Sequence, residues 1–404
     1  MTSAKSTQVP FVSLDYFTAE FNANPYPKLD ELREIGPVVY NEYLDHWAIT
    51  SFKIGSRVLA NPREFRADRQ LESVFGGATM QVEDSALHGE IRGVWARDFQ
   101  RDTLDEQRAV VDEAVRSAVD PFVERLRAGE TVDAVRHMTR GIPVQVIAQM
   151  LGIGLDPQTL RQVAEWSDLM GAIPSGLLDP SPAGEVILQK GAEATRALHE
   201  FIGAEMDKRR LDPTSDLISK MTNSSVANQL SERDLRAGNS QLIFAGNETT
   251  AKLMANIIVA LGDHPDQRRA VGIDHSLIPA VIEEVLRWQS VSQVARRVVR
   301  GDDVFVDGIQ IPDGARVVVL LGACNRDPDR WDEPDKFDIR RERRQHLGFS
   351  FGIHTCLGQN LARLESAVWL EQFLERLPDY ELAGDIDYGP GFAVRGPEAV
   401  PIRL

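Results

Sequence analysis

The sequence predicts a mainly α-helical fold with a minor β part, and three observations carry that expectation. Apolar residues recur near every 3.6 positions over residues 105–128, 133–152, 156–171, 184–209, 277–288 and 357–376. The stretch "LSERDLRAGNSQLIFAGNETTAKLMANIIVALGDHP" reads as one continuous helix. At 1.5 Å per residue it would span ~45 Å, against a mean helix of about 11–12 residues. Strand-like alternation is confined to residues 38–50 and 290–322.

Each element has a local reason. "VVYNEYLDHWAIT" sets β-branched and aromatic residues around an Asp turn, which predicts a hairpin. "DDVFVDGIQIPDGARVVVLL" alternates well and is punctuated by Asp-Gly at 307–308 and 313–314, the pair that favours tight hairpin turns. Ser231 with Asp234 forms an N-cap pair for the long helix, and Gly262 followed by Pro265 ends it. A helix of that length must cross the whole molecule. No repeat, low-complexity tract or linker divides the chain, so residues 1–404 are expected to form one domain.

Composition narrows the function classes. The 404 residues are 43% hydrophobic and 26% charged, as in an ordinary soluble globular protein. Net charge is −16, which argues against a nucleic-acid partner, because such partners demand a basic face. No apolar run of 18 residues predicts a membrane span, and the N-terminus lacks the apolar core of a secretory signal. Two cysteines are too few for a disulfide framework, which suits a reducing compartment, so a cytoplasmic location is expected.

Those two cysteines read differently. Cys324 follows the strand "VVVLLGAC" and reads as a small buried hydrophobe. Cys356 lies in "FSFGIHTCLG", among Phe349, Phe351, Gly352 and Gly358, directly before the helix "LGQNLARLESAVWLEQFLERL". A helix start favours a thiolate through its unpaired N–H groups and dipole. Glycines let the backbone approach a flat or bulky object, and a thiolate suits a soft metal. Zinc wants four ligands in paired spacings, and His354 lies too close to Cys356 for that. Iron–sulfur clusters want more cysteines than the chain has. A single thiolate on a haem iron remains.

The residues around Cys356 resemble the haem-binding signature of the cytochrome P-450 family, F-x-x-G-x-H/R-x-C-x-G, running from Phe349 through Gly352, His354 and Cys356 to Gly358. Two further motifs stand in the family's order. Glu284-Val-Leu-Arg287 is similar to its E-x-x-R motif, and Ala245-Gly246-Asn247-Glu248-Thr249 to its A/G-G-x-D/E-T motif in the long helix. The resemblance covers essentially the whole chain, and the short polar N-terminus resembles the soluble bacterial branch.

The resemblance implies the cytochrome P-450 fold, with haem b between the long helix and the cysteine loop and Cys356 as the iron ligand. A thiolate pushes electron density onto iron and favours O–O cleavage. It implies that Ala245 and Gly246 let haem and dioxygen approach the long helix. Gly246, Asn247, Thr249 and Thr250 are mediocre helix formers, and a local helix distortion there is expected to hold water. Glu248 and Thr249 would be the acid–alcohol pair that relays protons. Glu284 and Arg287 would be buried and structural, bonding to the chain before the cysteine loop. The haem propionates would be met by His88 and Arg92, which match an H-x-x-x-R pattern, by His354, and by Arg297 in preference to Arg296.

The implied activity is a haem-thiolate monooxygenase that inserts one oxygen atom from O2 into a C–H bond of a small hydrophobic substrate. The pocket positions implied are the loop 71–85, helices between 156 and 209, Gln241, Phe244, Ala245, Gln293, Val294, Ala295 and Phe392. These are apolar or neutral, and terpenoids, steroids, alkyl chains and aromatic compounds all suit them. No flavin or nicotinamide fingerprint is present. Electrons would therefore come from a separate ferredoxin or flavodoxin with its reductase, docking on a basic patch of Arg340, Arg341, Arg343, Arg344 and Arg363. The protein is expected to act as a monomer. A peroxide-driven peroxygenase and a non-catalytic haem or small-molecule binding protein are the alternatives.

Overall fold

The computed structural model describes residues 9–389 and 391–404. Its axis is the helix Glu232–Asp263, hereafter the central helix. The Ser231 hydroxyl accepts from the Asp234 N–H at 3.1 Å and meets the Asp234 carboxylate at 2.6 Å, as the N-cap pair predicts. Residues on every face of the helix are buried, from Leu235 and Ala237 to Ala260 and Leu261. Burial on all faces, including that of Asn239, Gln241, Asn247 and Asn256, places this helix in the interior of the protein. Around it pack the helices Gly141–Met150, Pro157–Gly176, Pro182–Leu211 and Ile278–Trp288, and the helix Gln359–Arg376 that follows Cys356. The mainly α expectation is borne out.

The expected distortion at the centre of this helix is not found. Helical hydrogen bonding runs unbroken from Glu232 to Asp263, and the Thr249 hydroxyl donates to the Ala245 carbonyl at 2.9 Å. Such back-bonding gives the hydroxyl a partner without interrupting the helix.

The β part forms where alternation predicts it. Val38–Asn41 and His46–Ile49 pair antiparallel, and Val304–Val306 pairs with Ile309–Ile311. Asp307 and Gly308 both take positive φ, 51° and 79°. That is the two-residue turn whose twist matches the strands it joins. The larger sheet runs in the order Phe11–Val12, Val38–Asn41, His46–Ile49, Arg316–Leu320, Val294–Val299, Phe65–Ala67. Within it Arg297 lies opposite Val317 on one side and Ala67 on the other. This register fixes one candidate cofactor residue inside a sheet rather than on a loop.

One core cluster joins segments from near the two ends of the chain. Phe392 is fully buried, with its ring 5.2 Å from Tyr16 and 4.8 Å from Phe21. Gln293 is also fully buried, and its amide donates to the Tyr26 hydroxyl at 3.2 Å and to the Ser290 carbonyl at 2.5 Å. Both residues are spent on packing, which corrects the expectation that they line a substrate pocket.

Candidate haem site

The cysteine loop is a strained turn between two anchored ends. Ser350 and Gly352 have φ of 60° and 77°. A Cβ at Gly352 would sit 2.5 Å from the Leu59 carbonyl oxygen, so glycine is required there. The Cys356 N–H donates to the Phe349 carbonyl at 3.0 Å, closing the loop. The Phe349 ring lies under the Arg363 guanidinium, 4.6 Å from its centroid. Arg363 in turn donates to Glu283 at 2.6 and 3.1 Å.

The buried pair Glu284 and Arg287 supports the same loop from behind. Arg287 donates twice to Glu284 at 2.8 Å, and then to the carbonyls of Asn325, Pro334 and Lys336. The Asn325 side chain accepts from the Leu347 N–H at 2.6 Å, where the loop begins. A surface i,i+3 pair contributes only a few tenths of a kcal/mol; this one is buried and organises the backbone of the next segment.

Cys356 is exposed, whereas Cys324 is buried and its sulfur donates to the Ser51 carbonyl. The protein around Cys356 still withdraws water from the sulfur, and this desolvation pushes the thiol up from its ordinary value. The Gly358 backbone and the Arg92 and Arg363 charges oppose that rise without overcoming it. The helix starts only at Gln359, one short turn beyond the sulfur. A bound metal would reverse this rise, since it deprotonates a coordinating thiol outright.

The candidate propionate residues converge. Asp84 accepts from the Ala67 N–H at 2.7 Å and meets His354 Nε2 at 2.7 Å. The His354 ring lies 4.8 Å from that of His88, edge to face. Burial first, then the His354 and Arg92 charges, lower the His88 imidazole to about 4. Arg297 is buried and its Nη1 donates to the Arg296 carbonyl, while its Nη2 is buried without a partner. Arg296 is instead bound to Asp68 at 2.7 Å and to Gln70 at 2.8 Å. Each of the two arginines keeps one buried guanidinium nitrogen without an acceptor, which an anion would answer, but only Arg296 has its charge met by a carboxylate in an ion pair, so Arg297 is the freer cation. An exposed thiol, an unanswered guanidinium and two neighbouring imidazoles suit a soft metal carried by a group with anionic arms.

Comparison with known proteins identifies that group. The Cytochrome P450 family profile matches residues 274–378, the segment holding Glu284, Arg287 and the cysteine loop. The chain is 30% identical to Cytochrome P450 monooxygenase PikC of Streptomyces venezuelae, over 98% of this chain and 94% of that protein. It is 32% identical to Vitamin D(3) 25-hydroxylase of Pseudonocardia autotrophica, over 96% of each. The chain belongs to the cytochrome P450 family. Its fold matches that of the P450 CYP109E1 from Bacillus megaterium, solved with testosterone, at a TM-score of 0.87 and 28% identity, over 96% of this chain and 99% of that one. It is accordingly a haem-thiolate monooxygenase, with haem as its cofactor.

In this P450 the remaining sequence-derived positions divide. Ala245 is exposed on the central helix, Thr249 half-buried. A Cβ at Gly246 would meet Ile147 at 3.1 Å. The small residue at 246 thus serves helix packing, a correction to its expected role in admitting a cofactor. The Phe244 ring packs on Phe75 at 5.7 Å, and the Gln241 amide donates to Gln81 at 3.1 Å. Val294 and Ala295 are half-buried on their strand. Arg363, expected in a free basic patch, is engaged by Glu283. Arg341 is tied to Glu284 at 3.2 Å and to the Lys336 carbonyl at 2.9 Å, and Arg344 to Glu342. Arg340 and Arg343 are exposed.

The sequence reading missed the partners of Glu248. Its carboxylate lies 2.9 Å from the Lys252 ammonium, which also reaches Glu398 at 3.0 Å and donates to the Val394 carbonyl at 3.1 Å. The spacing of 248 and 252 signals an i,i+4 pair, but Glu398 comes from the far C-terminal loop. Asp84, also missed, has no motif of its own.

Proposed function

We propose that this P450 hydroxylates or oxidatively dealkylates a neutral hydrophobic molecule of about steroid size, taking electrons from a separate ferredoxin or flavodoxin. When bound, haem supplies dioxygen activation and oxygen-atom transfer. Cys356 would hold its iron through the thiolate. Arg297, with His88, Arg92 and His354, would hold its carboxylates, and Phe349, Gly352 and Gly358 shape the loop.

The observation that carries this assignment is the unpartnered Nη2 of buried Arg297, whose neighbouring charge, Asp84, also pairs with His354, two residues before Cys356. Thr249 would hold a proton at its Oγ1 and receive its replacement from Glu248, with Ala245 leaving the helix surface low beside it. Gln241, Phe244, Ala245, Val294 and Ala295 would border the substrate.

A neutral substrate is supported by Arg69, a cation of the segment next to the loop 71–85 that could anchor a carboxylate, being paired with Glu72. Substrate size is carried over from the relatives, whose names include two vitamin D hydroxylases and a P450 solved with testosterone and with corticosterone. Arg340 and Arg343 would face the acidic electron donor. The protein would work as a cytoplasmic monomer; among the described residues no helix is long and apolar enough to cross a membrane.

A spectral screen tests the substrate reading. Neutral steroids and secosteroids should shift the haem absorbance by displacing the iron-bound water, and fatty acids should not. The reverse order of response would overturn it. Thr249→Ala tests the relay: it should keep haem and divert reducing equivalents to hydrogen peroxide, and unchanged coupling would count against it.

A further inference from the structure

On the outer face of the helix Gln359–Arg376, two carboxylates and an imidazole from another element come together. Trp369, Leu370, Phe373 and Leu374 are buried on the core side of that helix, which turns Glu371 and Glu375 outward. Spaced four residues apart, these two share one face of the helix. His275 reaches them from the short turn His275–Leu277 that leads into the helix Ile278–Trp288. Asp274 caps this turn, its carboxylate accepting from the Ser276 N–H at 3.0 Å. One ligand atom each from His275, Glu371 and Glu375 lie within 4.8 Å of one another, the only such set of three among the described residues.

The set is short of positive charge. His275 Nδ1 lies 4.0 Å from Glu371 Oε1. Arg108 reaches Glu371 at 3.5 Å and Asp112 at 3.8 Å, two long contacts of a half-exposed side chain. Such surface pairs contribute little. Glu375 is exposed, and no cation pairs with it among the described residues. Carboxylates alone are common on a chain of net charge −16. An imidazole delivered beside two of them from a separate element adds the ligand that zinc selects. Zinc holds imidazole nitrogen and carboxylate oxygen at about 2.0–2.2 Å in a tetrahedron, which sets ligand atoms roughly 3.4 Å apart. All three side chains reach solvent, so small rotations close the set around an ion. Arg108 then keeps Asp112.

We propose that His275, Glu371 and Glu375 form a zinc site, with water as the remaining ligand, that fastens the turn before the helix Ile278–Trp288 to the helix Gln359–Arg376. The first of these helices carries Glu284 and Arg287, and the second follows Cys356. The ion clamps together the two helices that support the cysteine loop and takes no part in the reaction. The site stands apart from the relay and substrate readings, and its failure would leave both untouched. Magnesium is a poor occupant, because it demands octahedral oxygen ligands and dehydrates reluctantly.

Metal binding to the chelator-washed holoenzyme tests this. Calorimetric titration with zinc chloride should show a single equivalent bound, and magnesium chloride should show none. X-ray absorption at the zinc edge, which haem iron does not obscure, should find an imidazole nitrogen and carboxylate oxygens at about 2.0–2.2 Å. Losing even a group behind a ligand costs about 10–100-fold in metal affinity, so His275→Ala and Glu375→Gln should each weaken zinc binding about 100-fold. Glu375 is exposed, so its variant keeps the fold even where His275→Ala disturbs the turn. Arg108→Gln, which removes the competing cation, should tighten binding. Because the ion binds the folded state, zinc should raise Tm and slow haem release in wild type and do neither in Glu375→Gln. No zinc binding by wild type, or the same affinity and stoichiometry in wild type, His275→Ala and Glu375→Gln, would overturn the site.

Discussion

Replacing Arg287 by Met removes five hydrogen bonds from one buried side chain: two to Glu284 and one each to the carbonyls of Asn325, Pro334 and Lys336. Breaking a buried ion pair from one side costs about 3–5 kcal/mol, because the remaining charge is stranded. Here Glu284 keeps the Asp338 N–H at 3.0 Å and Arg341 at 3.2 Å, which places the pair term at the lower end. The Lys336 carbonyl also keeps Arg341, so two carbonyls are left without that donor, at about 1–3 kcal/mol each. The sum is about 5–9 kcal/mol, comparable with a typical total of about 5–15 kcal/mol. Urea unfolding followed by circular dichroism should show a much lower midpoint with an unchanged slope. Arg287→Lys should fall between variant and wild type. Glu284→Gln combined with Arg287→Met should cost less than the two singly, since the residues share one network. A midpoint for Arg287→Met within error of wild type would refute the reasoning.

The remaining predictions are local. Gly352→Ala should lower Tm and speed haem loss, since positive φ alone costs about 1–2 kcal/mol and the added carbon meets the Leu59 carbonyl; an unchanged Tm would contradict this. Phe392→Ala should destabilise by about 3–5 kcal/mol while leaving the ranking of substrate-induced spectral shifts intact; altered selectivity at full stability would return Phe392 to the pocket. Burial alone would raise the Glu283 carboxyl, but His346 and Arg363 override it and bring it from 4.5 to about 2. A carboxyl lowered in this way contributes stability that is complete above its unfolded value and lost as pH falls through the folded one. The Tm gap between wild type and Glu283→Gln should therefore shrink as pH falls from 4.5 to 2, and a gap independent of pH would show that the pair is not the source.

Much of the architecture is written in local signals. The Asp307-Gly308 turn, the Ser231 cap and the helical periodicities are short-range instructions, and the structure follows them. The cysteine loop is legible for the same reason, since its glycines and aromatics lie within ten residues. What the sequence hides is contact between distant segments. Phe392 reads as a pocket residue because nothing nearby reveals that Tyr16 and Phe21 cover it. Gln293 precedes a strand and reads as pocket-facing, yet its amide is claimed by Tyr26. Gly246 sits in a motif, and only the approach of Ile147 shows why it is small. The spacing of Glu248 and Lys252 is visible in the sequence, but not the approach of Glu398 and Gly396 from the C-terminal loop that covers Lys252. Arg363 looks free until Glu283 and Phe349 take both its charge and its face.

The account depends most directly on the sulfur of Cys356. Purified wild-type protein and Cys356→Ala should be reduced, exposed to carbon monoxide and compared by absorbance, with circular dichroism to check folding. Wild type should show the long-wavelength band of a thiolate-bound haem, and the folded variant should lack it; the same band in folded Cys356→Ala would contradict the assignment of the ligand.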